Sequence, residues 1–226
     1  MVNSKWSIEN KDNASLGSQP PAVRFFAHLF SYVFHPLFIP LYVTYFIEYI
    51  HPSYFSGVGD LNKKKLMLLV AINAVAFPAI SILLLKGLGF IKSVFLPGQN
   101  DRVFGYITSM IFFWWAWRVL KEQPDIPRIL AAFMFGIFIS TSAALIANIY
   151  HKISMHAIGM GGLVGLLLIV MQQNNMLMTW PLALGFLIAG FVCTSRMIVS
   201  DHRPGEIYSG LVVGLLCQFA GSIIYL

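Results

Sequence analysis

The amino-acid sequence predicts an all-α protein, a polytopic membrane bundle of about six to seven transmembrane helices. Of its 226 residues, 58% are hydrophobic and only 11% are charged. The mean hydropathy of +0.73 is well above that of an ordinary soluble domain. Apolar stretches long enough to cross a bilayer, about 20 residues each, recur along most of the chain. These observations together favour a membrane domain over a soluble fold.

Each apolar stretch predicts one helix, in chain order. The segment 153–195 contains no Lys, Arg, Asp or Glu and is too long for one span. The polar run Gln172-Gln173-Asn174-Asn175 inside it therefore predicts the turn of a helical hairpin. In the first stretch, Pro36 and Pro40 predict a kink or a break, because proline lacks the N–H group that a helix needs. The predicted spans are residues 25–47, 66–85, 103–117 (extending to Leu120), 129–150, two within 153–195, and 207–226.

The N-terminal residues 1–23 differ in composition, with Asn, Ser, Lys and Gln prominent up to Pro20-Pro21. We interpret them as a mobile polar tail that lacks the pattern of a cleaved signal sequence. Residues 24–226 are predicted to form a single transmembrane domain. Its two cysteines, Cys193 and Cys217, lie in apolar runs and are interpreted as packing residues, so neither a disulfide nor a zinc site is expected.

The net charge of +6 is modest for this length. It fits loops beside anionic lipids, whereas a nucleic-acid surface requires a clustered basic stripe, so we expect membrane lipids and no nucleic acid as partners. The oligomeric state is not specified by the sequence.

Rare polar residues follow three of the predicted spans. Arg102 follows the second span, Lys152 and His156 follow the fourth, and a third group follows the sixth, with Arg196, His202 and Glu206. Two spans separate each group from the next, so all three groups are predicted to emerge on the same face of the bilayer. Charged and imidazole groups at such positions are costly and are therefore candidates for function.

The third group has the residue types of a phosphoryl-transfer site. An arginine holds a phosphate through two parallel N–H bonds, and a neutral histidine can attack phosphorus. A carboxylate can fix the tautomer of that histidine. Here Ser195 and Arg196 are followed after five residues by His202 and after three more by Glu206.

This spacing resembles the type-2 phosphatidic acid phosphatase superfamily, whose pattern is K-x6-R-P, then P-S-G-H, then S-R-x5-H-x3-D. The third motif fits with Glu206 in place of Asp. The second retains the Ser and His in Ile153-Ser154-Met155-His156, and Arg102 is the match for the first, with Lys92 as the nearest preceding lysine. The resemblance covers roughly residues 92–214.

The resemblance implies a lipid phosphate phosphatase that hydrolyses a phosphomonoester or pyrophosphate through a phosphohistidine. His202 would be the nucleophile, Glu206 would hold its other ring nitrogen, and His156 would be the general acid and base. The residues implied in binding the substrate phosphate are Arg196, Arg102, Lys92, Lys152 and Ser154, the last with backbone N–H groups at the start of its helix. The scheme requires no cofactor and no metal.

Alternatives remain open for the function and for single residues. A protein of the same fold that binds or transports lipid phosphates without turnover is the alternative function. Arg196, His202 and Glu206 could instead form a structural ion-pair network, while Arg102, Lys92 and Lys152 could anchor span ends at the interface. His28 and His35, which lie among aromatic residues of the first span, are interpreted as packing residues.

The orientation is predicted from the basic residues on the opposite face, which include Lys63-Lys64-Lys65, Arg118 and Arg128. By the positive-inside rule that face is cytoplasmic. The predicted location is therefore a bacterial inner membrane, with the candidate site facing the periplasm. The sequence does not specify which lipid phosphate is the substrate.

Overall fold

The structure, a computed structural model, describes residues 19–96, 98–173, 177–199 and 202–226. Within these ranges the chain is helical and contains no strand, so the predicted all-α fold class is confirmed. Seven helical segments of this part of the chain are long and apolar enough to cross a membrane. They are Pro21–Ile50, Asp60–Gly87, Gln99–Lys121, Arg128–Tyr150, Met155–Gln173, Thr179–Val199 and Pro204–Tyr225. The protein is an integral membrane protein.

The first two segments are composed of shorter pieces. The first contains helix α1 (Pro21–Val33), a 3₁₀ turn (Pro36–Phe38), helix α2 (Ile39–Tyr45) and a π-helical turn (Phe46–Ile50). A 3₁₀ turn at Pro52–Phe55 leads to the second segment, which contains α3 (Asp60–Val70), a π-helical turn (Ala71–Ala76) and α4 (Phe77–Gly87). The remaining five segments are the continuous helices α5 to α9, with the bounds given above.

The break predicted in the first segment lies at His35, which has extended backbone angles (φ −62°, ψ 137°) between α1 and the 3₁₀ turn. Pro36 starts that turn, where a missing N–H costs little. Pro40 lies in the first turn of α2 and does not interrupt it. The Tyr42 hydroxyl donates a 2.7 Å hydrogen bond to the Val33 carbonyl near the end of α1. The segments on the two sides of this break pack on different helices: α1 packs on α8, whereas the 3₁₀ turn and α2 contact α7 and α2 also contacts α3.

The centre of the bundle is formed by α6, α7 and α9, with α5 packed on α6 and α8 on α7. Helices α7 and α9 approach each other closely at glycines. A Cβ atom at Gly161 would overlap the Leu211 carbonyl oxygen, and one at Gly214 would overlap the Ile158 carbonyl oxygen. The absence of a side chain at these positions lets the two helix backbones approach closely. This contact matters for function because α7 and α9 begin beside each other at the candidate site.

The ends of the last three helices lie close to polar residues or proline. Pro204 is the first residue of α9, a position where its missing N–H group costs little. Helix α7 continues through Gln172 and Gln173, and α8 begins at Thr179. Asn174 and Asn175, the other half of the predicted turn, lie outside the described residues. Most of the predicted N-terminal tail does so as well.

Candidate functional site

A cavity of about 740 Å³ contains five of the predicted site residues in its wall. They come from separate parts of the chain, yet all lie at or just beyond a helix end. The helix starts of α5 and α7, the end of α8 and the loops before α7 and α9 thus meet at one end of the bundle. The five residues are Arg102, Lys152, His156, Arg196 and His202.

His202 and Glu206 form a hydrogen-bonded pair at the start of α9. The His202 Nδ1 atom lies 2.8 Å from the Glu206 Oε2 atom, one helical turn away, and the two side chains are only 11% and 20% exposed. A carboxylate can only accept a hydrogen bond, so Nδ1 carries the ring hydrogen and Nε2 has a lone pair that can act as a nucleophile. The Glu206 carbonyl also accepts a 3.2 Å hydrogen bond from the Ser154 N–H group. That bond joins the start of α9 to the loop before α7.

The surroundings of His202 favour its neutral form. Burial is the largest effect and lowers the pKa of His202 below its ordinary value. The hydrogen bond and charge of Glu206 raise this pKa, while the positive charges of Lys152 and Arg196 lower it. Because the net shift is downward, the His202 imidazole is neutral at neutral pH, which is the state that a nitrogen nucleophile requires.

His156, in the first turn of α7, is oriented by α1. Its Nε2 atom lies 3.1 Å from the Ser31 carbonyl oxygen. A carbonyl only accepts, so Nε2 carries the hydrogen and Nδ1 is the nitrogen that can exchange a proton. The His156 ring also meets the His35 ring edge to face, with 5.0 Å between the ring centroids.

Arg102 is held by an amide that the sequence analysis did not single out. The Arg102 Nε–H group donates to Asn148 Oδ1 at 2.9 Å, across the contact between α5 and α6. The Gln99 side chain donates to the Asn148 carbonyl at 2.8 Å and strengthens the same contact. Asn148 is the single amide side chain in the apolar stretch 129–150, and that isolation was the available signal.

Two other predicted phosphate-binding residues lie outside the cavity wall among the described residues. The Ser154 side chain is fully buried, and its Oγ atom accepts a 3.4 Å hydrogen bond from the Ala157 N–H group, so Ser154 caps the start of α7. Lys92 is exposed on the loop between α4 and α5. Lys152, by contrast, lies in the wall and close enough to His202 to influence its pKa. Its position makes it a better candidate than Lys92 for contact with an anion.

The cavity wall also contains residues that the sequence analysis missed or interpreted as packing. His35 and Ser31 come from the first segment. Tyr106, one turn after Arg102, is 1% exposed, and its hydroxyl has no hydrogen-bond partner within the described ranges. The spacing of Tyr106 from Arg102, four residues along one helix, was the signal that could have identified it.

Most of the remaining wall is apolar and extends deep into the bundle, although His28, Tyr32, Ser109, Ser140 and Thr141 also line it. The apolar part includes Ile82, Phe113, Phe133 and Ile137. Phe133 lies in the second turn of α6, whereas Lys152 lies just beyond that helix's other end. At 1.5 Å per helical residue, these positions place the two ends of the cavity about 25 Å apart. A long hydrocarbon chain could occupy such a space, with a charged group at the polar end.

In chemical terms, the polar end of the cavity combines positively charged side chains with two histidines. His202 has an available Nε2 atom and is oriented by the Glu206 carboxylate, whereas His156 has an available Nδ1 atom. Among the described residues, no group of three His, Cys, Asp or Glu side chains is placed to hold a metal ion. Comparisons of the chain with models of known protein families, with curated proteins and with solved structures found no match.

Proposed function

We propose that this protein is an integral-membrane phosphatase that hydrolyses a phosphomonoester or pyrophosphate of a lipid through a phosphohistidine on His202. One observation carries the proposal. The His202–Glu206 pair leaves the Nε2 lone pair of a neutral histidine in a cavity that Arg102, Arg196 and Lys152 also line. A nucleophile surrounded by positive charge suits an anionic electrophile such as a phosphoryl group.

In the first half-reaction, His202 Nε2 attacks phosphorus, and the bond from phosphorus to the lipid oxygen breaks. The His202 Nδ1–H group remains hydrogen-bonded to the Glu206 carboxylate, which stabilises the positive charge that develops on the ring. His156, which is protonated on both ring nitrogens when the anionic substrate is bound, donates its Nδ1 proton to the departing oxygen and becomes neutral; the oxygen leaves as a lipid alcohol or, from a pyrophosphate, as a lipid monophosphate. The products of this step are the phosphohistidine and the protonated leaving group.

In the second half-reaction, water attacks the phosphohistidine and gives its proton to His156 Nδ1. The bond from phosphorus to His202 breaks, inorganic phosphate leaves, and both histidines return to their starting protonation states. Arg196, Arg102 and Lys152 offset charge on the phosphoryl oxygens in both steps, which is the dominant contribution in most phosphoryl transfers. The Arg102–Asn148 hydrogen bond orients the guanidinium for this purpose.

The lipid nature of the substrate is supported by the apolar part of the cavity and by its position in a membrane protein. A water-soluble phosphate ester would leave that apolar wall unoccupied. The basic residues of the opposite loops favour a cytoplasmic location for that face, so the site would face the periplasm of a bacterial inner membrane.

The test is release of inorganic phosphate from a panel of lipid phosphates by the purified protein in detergent, with EDTA present. We expect release from at least one lipid monophosphate or pyrophosphate, and loss of this release in His202→Ala with an unchanged melting temperature. Wild-type rates in His202→Ala would refute the assignment of the nucleophile. Binding of these lipids without any release would favour the non-catalytic binding or transport protein.

A further inference from the structure

His35 lies in the same cavity wall as the candidate catalytic residues, although it comes from the first segment of the chain. It is the extended residue at the break between α1 and the 3₁₀ turn. Its ring is the immediate neighbour of His156, at 5.0 Å between centroids. The same end of α1 supplies the Ser31 carbonyl that orients His156. This break therefore contributes to the site directly.

The tautomer of His35 follows from its own hydrogen bond. The Leu37 N–H group donates to His35 Nδ1 at 3.3 Å. A ring nitrogen that accepts a hydrogen bond carries no hydrogen, so the neutral ring has its hydrogen on Nε2. In the part of the chain that the structure describes, His35 makes no other hydrogen bond. Its Nε2–H group is thus a donor with a fixed ring orientation in the cavity wall.

We propose that His35 is a third histidine of the phosphate site, and that its Nε2–H group donates a hydrogen bond to a non-bridging oxygen of the bound phosphoryl group. This assignment rests on the site of the proposed function. The neighbouring positive charge of Arg196 selects for an anion at this end of the cavity. A neutral donor beside it can bind an anionic oxygen without adding another buried charge. The ligand class is a phosphate oxyanion, whether or not it is hydrolysed.

Three substitutions separate the possible roles of the ring. In His35→Gln the side-chain amide reaches about as far as Nε2 and retains a donor there. His35→Asn places an acceptor near the Nδ1 position, so it retains the cap on Leu37 but loses the distant donor. His35→Phe retains the ring volume and loses both functions. His151→Phe is the matched control, because His151 is exposed and lies outside the wall.

The first measurement is the Kd of inorganic phosphate, by calorimetry on the detergent-purified full chain, with melting temperatures recorded for every variant. Hydrogen bonds to charged groups contribute enough to predict a Kd about 10- to 100-fold higher in His35→Phe and His35→Asn. His35→Gln should stay within about threefold of the parent, since it retains the donor. His151→Phe should bind like the parent. If the parent hydrolyses a lipid phosphate, KM should rise in parallel while kcat changes less.

Parent-like phosphate binding by His35→Asn would overturn the proposal, as would a His35→Gln variant no better than His35→Asn. These two variants decide the question even if His35→Phe does not fold. A parent protein that binds no phosphate would overturn it as well. Phosphate binding that depends on His35 without any lipid hydrolysis would support this proposal while refuting the phosphatase. Lipid hydrolysis together with phosphate binding that does not depend on His35 would support the phosphatase and refute this proposal.

Discussion

Substitution of Glu206 by Gln removes one negative charge while retaining the size of the side chain. The pair is mostly shielded from water, with 11% and 20% of the two side chains exposed, so solvent weakens it little. Hydrogen bonds to charged groups contribute about 1.5–3 kcal/mol. Loss of that stabilisation as His202 becomes positively charged in the transition state predicts a turnover number lower by about 10- to 100-fold. Lipid-phosphate binding should change little, because Glu206 does not contact the phosphate in this scheme.

The assay is the initial rate of phosphate release at saturating lipid phosphate, compared among three variants. Glu206→Asp should retain substantial activity, since a shorter carboxylate can reach Nδ1 by a change of rotamer. Glu122→Gln is the matched control, because Glu122 is exposed and pairs with Arg118 away from the cavity. The Ser154 bond to the Glu206 backbone carbonyl is unaffected by any of these changes. Parent-like turnover by Glu206→Gln would show that Glu206 is only a helix-end residue.

Two further predictions concern pH and helix packing. Burial lowers the pKa of His202, and the neutral ring is the nucleophile, so the acid limb of the parent's pH–rate profile should lie below 6.5. In Glu206→Gln that limb should move to still lower pH, because the carboxylate raises this pKa; a limb above 6.5 in the parent would contradict the assignment. Gly214→Ala should lower the melting temperature and the rate, because its Cβ atom would overlap the Ile158 carbonyl and separate α9 from α7, at a cost of about 1–3 kcal/mol. Gly190→Ala, where a Cβ atom meets nothing within 4 Å, should do neither, and equal effects in both variants would contradict the packing argument.

The spans could be predicted from the sequence because the cost of burying charge in hydrocarbon limits where charged residues occur. The same constraint, together with the count of spans, predicted that Arg102, His156 and His202 emerge on one side. The structure brings these three residues to one cavity. The start of α9 at Pro204 was also predictable, since proline at the first helical position loses no hydrogen bond.

Other parts of the site depend on tertiary packing, which span counting does not describe. The count of spans predicts at which face of the membrane a helix ends, but it does not predict how the helix is rotated about its own axis. The resemblance implied phosphate binding by Ser154, and the structure places its hydroxyl outside the cavity wall as the cap of α7, where it accepts a hydrogen bond from the Ala157 N–H group. His35 was interpreted as a packing residue because it lies among aromatic residues in the sequence. Its place in the cavity wall depends on the angle of the chain at Pro36, which is set by the helices that α1 and α2 contact. Lys92 lies in a loop, where no helical periodicity relates its position to the cavity.

The most direct test of the central claim is to trap the covalent intermediate. The purified protein is mixed with a lipid phosphate carrying a radiolabelled phosphoryl group, quenched in alkali during turnover and mapped by mass spectrometry. We expect label on His202, loss of that label during a chase with unlabelled substrate, and no label in His202→Ala. Label on His156 instead, or rapid hydrolysis by the parent with no labelled histidine at any time, would contradict the phosphohistidine mechanism.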